Sequence, residues 1–435
     1  MSIGEWLETR TGGAGEVARE LLEKPILGGA SYIFSLGALN LFLFINQLVT
    51  GMFLMMYYVP SPDHAYSAVQ FIQHEATFGY VVRGLHFWGA SVMIVSLMLH
   101  ASRVFIYGAY KKPRELMWIS GTILLLLVFG FAFTGYLLPW DQKAYWATVV
   151  GTNVAGTAPV AGGLVVRILR GGADISALTL TRFFTIHTQI LPWTLALVAG
   201  LHLTLLQFLG HGGPWDLTKV KKADPFYPDQ VFKDMVLVFL AFALMLALAN
   251  AFPAKLEALA DPTDHSYNPR PEWYFYFLFQ LLHYTEGKYE MVGTFLIPNL
   301  FVAMMLLLPF IDRNPERDPK KRPKAVAAWG LVIAGYITLT MLAVVAPSGG
   351  VTPKPVTEGR KLYLSLGCVS CHSINGVGGK VAPPLDKVGT RRDRAWLIAH
   401  FRDPQKVTPG SIMPKYDQLS QQQLDELTDY MLSLK

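Results

Sequence analysis

Four histidines stand in apolar stretches at two matched intervals. His86 and His100 have thirteen residues between them, His187 and His202 fourteen. Such a separation is about four helical turns, roughly 21 Å of rise, and the members of each pair fall within roughly 60° of one helix face. Two such helices side by side offer one His–His pair near each edge of a hydrocarbon layer roughly 30 Å thick. Neutral imidazole is a good iron ligand, so the spacing predicts two noncovalent b-type haems stacked across a membrane. A lone intramembrane histidine reads equally well as a hydrogen-bonding group or a step in a proton path; four at matched spacing do not. Gly37 with Gly51 and Gly121 with Gly135 repeat the first histidine interval. Glycine lets a flat macrocycle approach a helix backbone, although it also serves ordinary helix packing in membranes. Arg83 and Arg103 lie three residues before His86 and three after His100. Both can neutralise haem propionates, and both can snorkel to the headgroups.

A third iron site is written in Cys368-Val-Ser-Cys371-His372. Two thiols form thioethers to a porphyrin and the adjacent histidine ligates iron, the pattern of a covalent c-type haem. A zinc site would want a second Cys/His cluster, and a redox CxxC pair would want a βαβ setting; the sequence offers neither. Met431 follows Leu424 and Leu427 at helical spacing and reads as core. Met413, in Ser411-Ile-Met-Pro-Lys-Tyr416, is therefore the expected sixth ligand, with His400 as the runner-up. Both cysteines lie in this motif, so no disulfide framework is expected.

The elements that must position these groups follow from composition. The 435 residues are 52% hydrophobic and 16% charged, with mean hydropathy +0.33, which is membrane composition. Seven apolar segments are long enough to span: 32–58, 78–105, 116–138, 183–209, 231–252, 292–311 and 325–346. No cleavable signal is expected, because the first 31 residues are polar and the first apolar segment is too long for a signal core. The loops on the N-terminal side carry roughly twice the Lys and Arg of the opposite side, which predicts a cytoplasmic N-terminus and an outer C-terminus. The basic pI of 9.1 thus reflects topology, and no nucleic acid is implied. This topology places His86 and His187 on the outer haem iron, His100 and His202 on the inner.

The predicted fold is all-α and polytopic, with a small soluble α-helical domain. Its parts are a cytoplasmic amphipathic segment (1–31), a four-helix dihaem domain (32–209), a three-helix domain with a long outer loop (210–346), a linker (347–356) and a haem-attachment domain (357–435). Pro192 is expected to kink the fourth helix. The segment from Pro139 to Arg182 reads as a long outer loop, a type that is usually functional.

The motifs Arg83-Gly-Leu-His86-Phe-Trp88, Lys111-Lys-Pro-Arg-Glu-Leu116, Gly135-Tyr-Leu-Leu-Pro-Trp-Asp-Gln142, Thr179-Leu-Thr-Arg-Phe183 and Pro271-Glu-Trp-Tyr274 resemble the cytochrome b family of quinol-oxidising bc and bf complexes. The longer gap between His187 and His202 is similar to the bf type. The four-helix and three-helix parts look fused, with a class I-like cytochrome c domain appended. The resemblance implies a quinol:cytochrome c oxidoreductase in a bacterial inner membrane. It also implies a homodimer, a Rieske iron–sulfur partner, exchange with the quinone pool, and a downstream cytochrome c or equivalent acceptor. It implies Glu272 as acceptor of a quinol proton, with Tyr136 and Tyr274 as walls of an outer site; for Glu272 alone the plainer reading is a carboxylate capping a helix. Trp140 and Trp273 fit that site and fit interfacial anchoring equally. Two departures stand out. Ser35 replaces the cysteine that holds an extra haem in bf relatives, which leaves room only for a noncovalent one. Gln207 replaces a basic residue near the inner quinone site, where His211 is a candidate contributor, though loop histidines are usually solvated. A passive dihaem anchor for a separate dehydrogenase would need the histidines but not the Pro-Glu-Trp-Tyr turn, and a haem sensor would need no quinol turnover.

Overall fold

The computed structural model describes all residues except 1, 215–222, 263, 265–266, 268, 346–353, 375–376 and 435. Residues 347–353 of the expected linker lie outside the described residues. The chain forms two compact units, Met1–Ala260 with Pro271–Val344, and Asp261–Arg270 with Val345–Lys435.

In the first unit, among the described residues, seven helices are long and apolar enough to cross a membrane. They are Leu36–Met55, Gly79–Ile106, Glu115–Tyr136, Ala177–Leu209, Phe226–Ala251, Gly287–Ile311 and Pro323–Val345, the first to seventh spans. The fourth begins six residues before its apolar run because Ser176 and Thr179 form a capping box, which satisfies the first free amides and starts the helix in polar sequence. The fourth and sixth spans each contain a π turn, at Ile186–Ile190 and Val292–Leu296, and the fifth opens on a break at Tyr227, whose backbone is extended (φ −104°, ψ 132°). Proline accounts for them. Pro192 and Pro298 stand two residues after a π turn and Pro228 directly follows the break at Tyr227. Lacking an N–H and crowding the preceding turn, proline forces the helix to widen there. The disturbance at Pro192 thus takes the form of a π turn, and that turn carries His187.

Spans one to five meet around the fully buried Leu43, Ile94 and Met245. The segment 139–182 is not a plain loop: it folds into helices Gln142–Gly156 and Gly162–Arg170 before the fourth span. The N-terminal segment forms helices Ile3–Arg10 and Ala14–Glu23. It is followed by a two-stranded antiparallel pairing of Pro25–Leu27 with Ala223–Pro225, an element too short to show an alternating pattern in sequence.

A buried polar cluster ties the loop after the second span to the loop after the sixth. Asp312 accepts from Lys111 at 2.9 Å, from Arg322 at 3.0 Å and from the Tyr110 hydroxyl. Burial raises the Asp312 carboxyl, but the hydrogen bonds from Tyr110 and Lys111 outweigh it and hold the group below the usual carboxylate range. The Lys111 and Arg322 side chains are only 5% and 3% exposed. Asp312→Ala leaves two buried cations without a counter-charge and is expected to destabilise the unit by about 3–5 kcal/mol. Thermal unfolding in detergent, followed by haem absorbance, measures this.

In the second unit, helices Lys354–Ser365, Arg394–Arg402 and Gln421–Ser433 enclose Tyr363, Leu397, Phe401, Leu424, Leu427 and Met431. Asp393 caps the second of these helices and a Ser420–Gln423 capping box opens the third.

Candidate functional site

The His86 and His187 rings lie opposite each other, edge-on at 67°, with centroids 6.3 Å apart. Two metal–imidazole bonds of roughly 2 Å each, plus the radii of two rings, come to about that separation. Each of the four histidine rings meets one of the four glycines. A Cβ built on Gly51 would lie 3.4 Å from His86 Cε1; on Gly37, 3.7 Å from His100; on Gly121, 3.4 Å from His202; on Gly135, 2.6 Å from His187. The first span thus serves the histidines of the second, and the third serves those of the fourth. At 2.6 Å no side chain is tolerated unless the His187 ring moves. Gly135→Ala is therefore expected to displace the His187 ring and, if a haem sits between His86 and His187, to cost it, whereas Gly37→Ala leaves the rings in place; the reduced-minus-oxidised spectrum separates these outcomes.

Hydroxyls complete three of the four sites, a feature the sequence reading missed. Thr50 Oγ1 lies 2.9 Å from His86 Nδ1, Ser120 Oγ 2.9 Å from His202 Nδ1, and Thr134 Oγ1 3.1 Å from His187 Nδ1. Each engages Nδ1 and so leaves Nε2 for a metal. The signal was available: each hydroxyl residue directly precedes its glycine.

A cavity of about 490 Å³ opens beside His100 and His202, with Gly37, Gly121, Arg103 and Arg114 in its wall. This volume lies within the range of small-molecule and cofactor sites, about 300–1,000 Å³. Arg103 donates through Nη2 to the Gly212 carbonyl at 2.8 Å and packs over Phe34. Arg114 donates to the Leu209 carbonyl at 2.7 Å. Arg103 Nε and Arg114 Nε and Nη1 are buried with no hydrogen-bond partner among the described residues. Buried unpaired guanidinium groups are costly, and an acidic ligand such as a haem propionate would satisfy them. Glycine-backed imidazoles and unmatched arginines both fit haem. Arg83 is placed differently: its guanidinium donates to Gln73 Oε1 and to the carbonyls of Ala254 and Lys255 at 2.6–3.0 Å.

The far end of this cavity is polar. Lys24 donates to the Gln207 carbonyl, so the strand pairing restores a cation where Gln207 lacks one. His211 is not a solvated loop residue. It lies in the cavity wall, where burial and then Arg103, Lys24 and Arg114 push it down to about 4, keeping it neutral. Ser35 is fully buried, and its hydroxyl accepts from Gln230 at 3.0 Å.

On the opposite side, Glu272 precedes a 3₁₀ turn, Trp273–Phe275, which its side chain does not cap. Its carboxylate instead accepts from Lys143 Nζ at 2.7 Å, and that ammonium lies 5.6 Å from the Tyr136 ring. Tyr274 is buried, and burial followed by the nearby Glu272 pushes its hydroxyl up. Glu272, Tyr136 and Tyr274 are thus brought together, with Lys143 as an unanticipated fourth member. Trp140 and Trp273 both pack within the protein. Trp140 is buried beside Leu180 and Phe183, in a left-handed conformation, φ 53°. The Trp273 indole donates to Ser91 at 3.2 Å.

In the second unit, His372 Nδ1 donates to the Pro383 carbonyl at 2.8 Å, leaving Nε2 for iron. Cys368 is partly buried and Cys371 exposed, both as free thiols. A Cβ on Gly379 would lie 1.9 Å from the Ser370 carbonyl oxygen, so the chain folds tightly over the motif. Met413 packs on the same core as Cys368 and Val369, while Met431 is buried within that core. His400 stacks on Trp396 with centroids 4.5 Å apart, and its Nδ1 has no partner among the described residues. Burial, then His372 and Arg392, pushes it down.

Residues 21–210 match the family Cytochrome b/b6/petB, residues 259–353 match Cytochrome b(C-terminal)/b6/petD, and residues 356–435 match Cytochrome c. The chain is 40% identical over 323 residues to a "Cytochrome bc complex cytochrome b subunit" of Chlorobaculum thiosulfatiphilum, covering 73% of this chain and 74% of that one. It is 46% identical over 186 residues to the "Menaquinol:cytochrome c reductase cytochrome b subunit" of Bacillus subtilis (strain 168), covering 42% and 83%. A solved structure, "Hyperthermophilic respiratory Complex III", superposes with TM-score 0.72 at 27% identity, over 79% of this chain and 92% of that chain. Taken with the histidine-and-glycine geometry, these likenesses make the chain a member of the cytochrome b/b6 family, with both parts of a cytochrome b in one polypeptide and a cytochrome c domain behind them.

Proposed function

We propose that this chain is the cytochrome b/c subunit of a proton-translocating quinol:cytochrome c oxidoreductase. It sits in a bacterial inner membrane, N-terminus in the cytoplasm and cytochrome c domain outside. The observation that carries the reading is the set of four histidines in the apolar spans, each backed by a glycine, with His86 opposite His187 and His100 and His202 lining one cavity. Two noncovalent b-type haems and one covalent c-type haem, when bound, supply one-electron carriage from the outer quinol site toward the cytoplasm and outward to a cytochrome c or equivalent acceptor.

The residues divide the remaining work. His86 with His187, and His100 with His202, would hold the b-type irons through Nε2, while Thr50, Ser120 and Thr134 orient three of these rings. Arg103 and Arg114 pair with propionates. Cys368 and Cys371 would attach a c-type haem through thioethers, and His372 and Met413 would hold its iron. At the outer site, walled by Tyr136 and Tyr274, Glu272 accepts a proton as a quinol is oxidised and a Rieske iron–sulfur partner takes one electron. At the cytoplasmic end, Lys24, Gln207 and His211 surround a quinone-reducing site. Charge moved across the membrane stores about 2.3 kcal/mol per charge per 100 mV. The working units are the segment 1–31, the dihaem part 32–209, the quinol-site part 210–346, the linker 347–356 and the cytochrome c part 357–435. The complex is a homodimer whose fourth span turns Trp193, Leu197 and Phe208 outward. The name of the Bacillus relative makes menaquinol the first substrate to test.

The test is quinol-dependent reduction of added cytochrome c by the purified complex. Turnover blocked by outer-site inhibitors is the expected result; full haem content with no quinol turnover contradicts the proposal.

A further inference from the structure

Lys143 stands where a lysine is unfavourable. It lies in the first turn of helix Gln142–Gly156, and the helix dipole opposes a cation there. A lysine cannot cap that end, since its ammonium only donates, and Asp141 already accepts from the Ala144 amide at 2.8 Å. Its side chain is 29% exposed, so a flexible ammonium is fixed against its rotamer entropy. What offsets these costs is Glu272, 2.7 Å from Nζ and 17% exposed.

We propose that Lys143 is a positioning residue of the quinol-oxidising site, one that holds the Glu272 carboxylate in a single rotamer beside Tyr136 and Tyr274 and releases it on protonation. This rests on the reading of Glu272 as proton acceptor. When a quinol O–H bond breaks, the electron pair stays on the quinol oxygen and the proton bonds to the Glu272 carboxylate. The neutral acid no longer attracts the ammonium, so the ion pair opens and the side chain is free to turn away with its proton. Proton capture and the freeing of Glu272 thereby become one event. A quinol deprotonated at any other group would leave the ion pair shut.

Four variants of the purified complex test this, each assayed for quinol:cytochrome c reduction per b haem so that poorly assembled molecules do not count. Glu272→Gln is expected to lower kcat about a hundredfold, and Lys143→Met about tenfold with KM nearly unchanged. Acting through Glu272, the lysine change adds nothing further: the double variant stays near a hundredfold and does not reach about a thousandfold. Lys143→Arg keeps the charge and restores at least about half the rate. If Lys143→Met fails to assemble, Lys143→Gln takes its place. A multiplied loss in the double variant, or Arg as damaging as Met, overturns the role of Lys143. Undiminished turnover in Glu272→Gln overturns the reading of Glu272 itself, a separate result.

Discussion

His187→Leu is expected to yield a complex that lacks its outer b-type haem and whose quinol:cytochrome c turnover falls by on the order of 10³-fold or more, about 4 kcal/mol of barrier. The ring is over-determined. It faces His86 at 6.3 Å, backs onto Gly135, and is held at Nδ1 by Thr134. A leucine fills the space but has no lone pair for iron, and His86 alone would be a single axial ligand. Thr134→Val makes the informative companion. It keeps the imidazole and removes only its orienting hydroxyl, so haem affinity should fall about 10- to 100-fold, the usual cost of losing a partner behind a metal-bound histidine, with turnover surviving when haem is abundant. Both variants are read from the amplitude of the reduced-minus-oxidised b band. A His187→Leu protein that kept both b components would mean that His187 holds no iron.

The second large effect belongs to the C-terminal unit. Changing Cys368 and Cys371 together to Ser is expected to remove all covalent haem and to unfold that unit, while the membrane unit keeps its b haems. A domain of roughly 80 residues has a thin core, and here the aromatic core around Tyr363, Phe401 and Tyr430 must enclose the prosthetic group as well. Haem staining on a denaturing gel reports the attachment, and rapid proteolysis of the C-terminal unit reports the unfolding. Met413→Leu, with both thiols intact, keeps the covalent haem and lowers its potential, since a methionine ligand raises it. The same change at His400 should leave the potential in place. If His400→Leu moves the potential and Met413→Leu does not, the axial ligand has been assigned to the wrong residue.

The histidine pairs could be read from sequence because a helix converts spacing into position. Four turns of rise and a shared face depend on nothing but the period of 3.6 residues. The glycines followed the same arithmetic, and the structure adds that each one meets an imidazole. Other contacts had no periodic signature. Lys24 reaches Gln207 across 183 residues of sequence, through a strand pairing of three residues. Lys143 reaches Glu272 across 129. Such pairs are set by how helices and loops pack, which short-range pattern does not encode. The tryptophans were open in sequence for a different reason. An aromatic near a predicted span end reads equally well as an anchor or as packing, and the burial of Trp140 among Leu180 and Phe183 shows the packing.

The central claim is that paired imidazoles hold two haems in the membrane unit and that the Cys-Val-Ser-Cys-His motif holds a third. The most direct measurement is the haem content of the purified chain after acid–acetone extraction, by pyridine haemochrome spectra of the extract and the residue. The account predicts two extractable b-type haems and one covalent c-type haem per chain. Fewer than two extractable haems in a folded, membrane-inserted protein would contradict it.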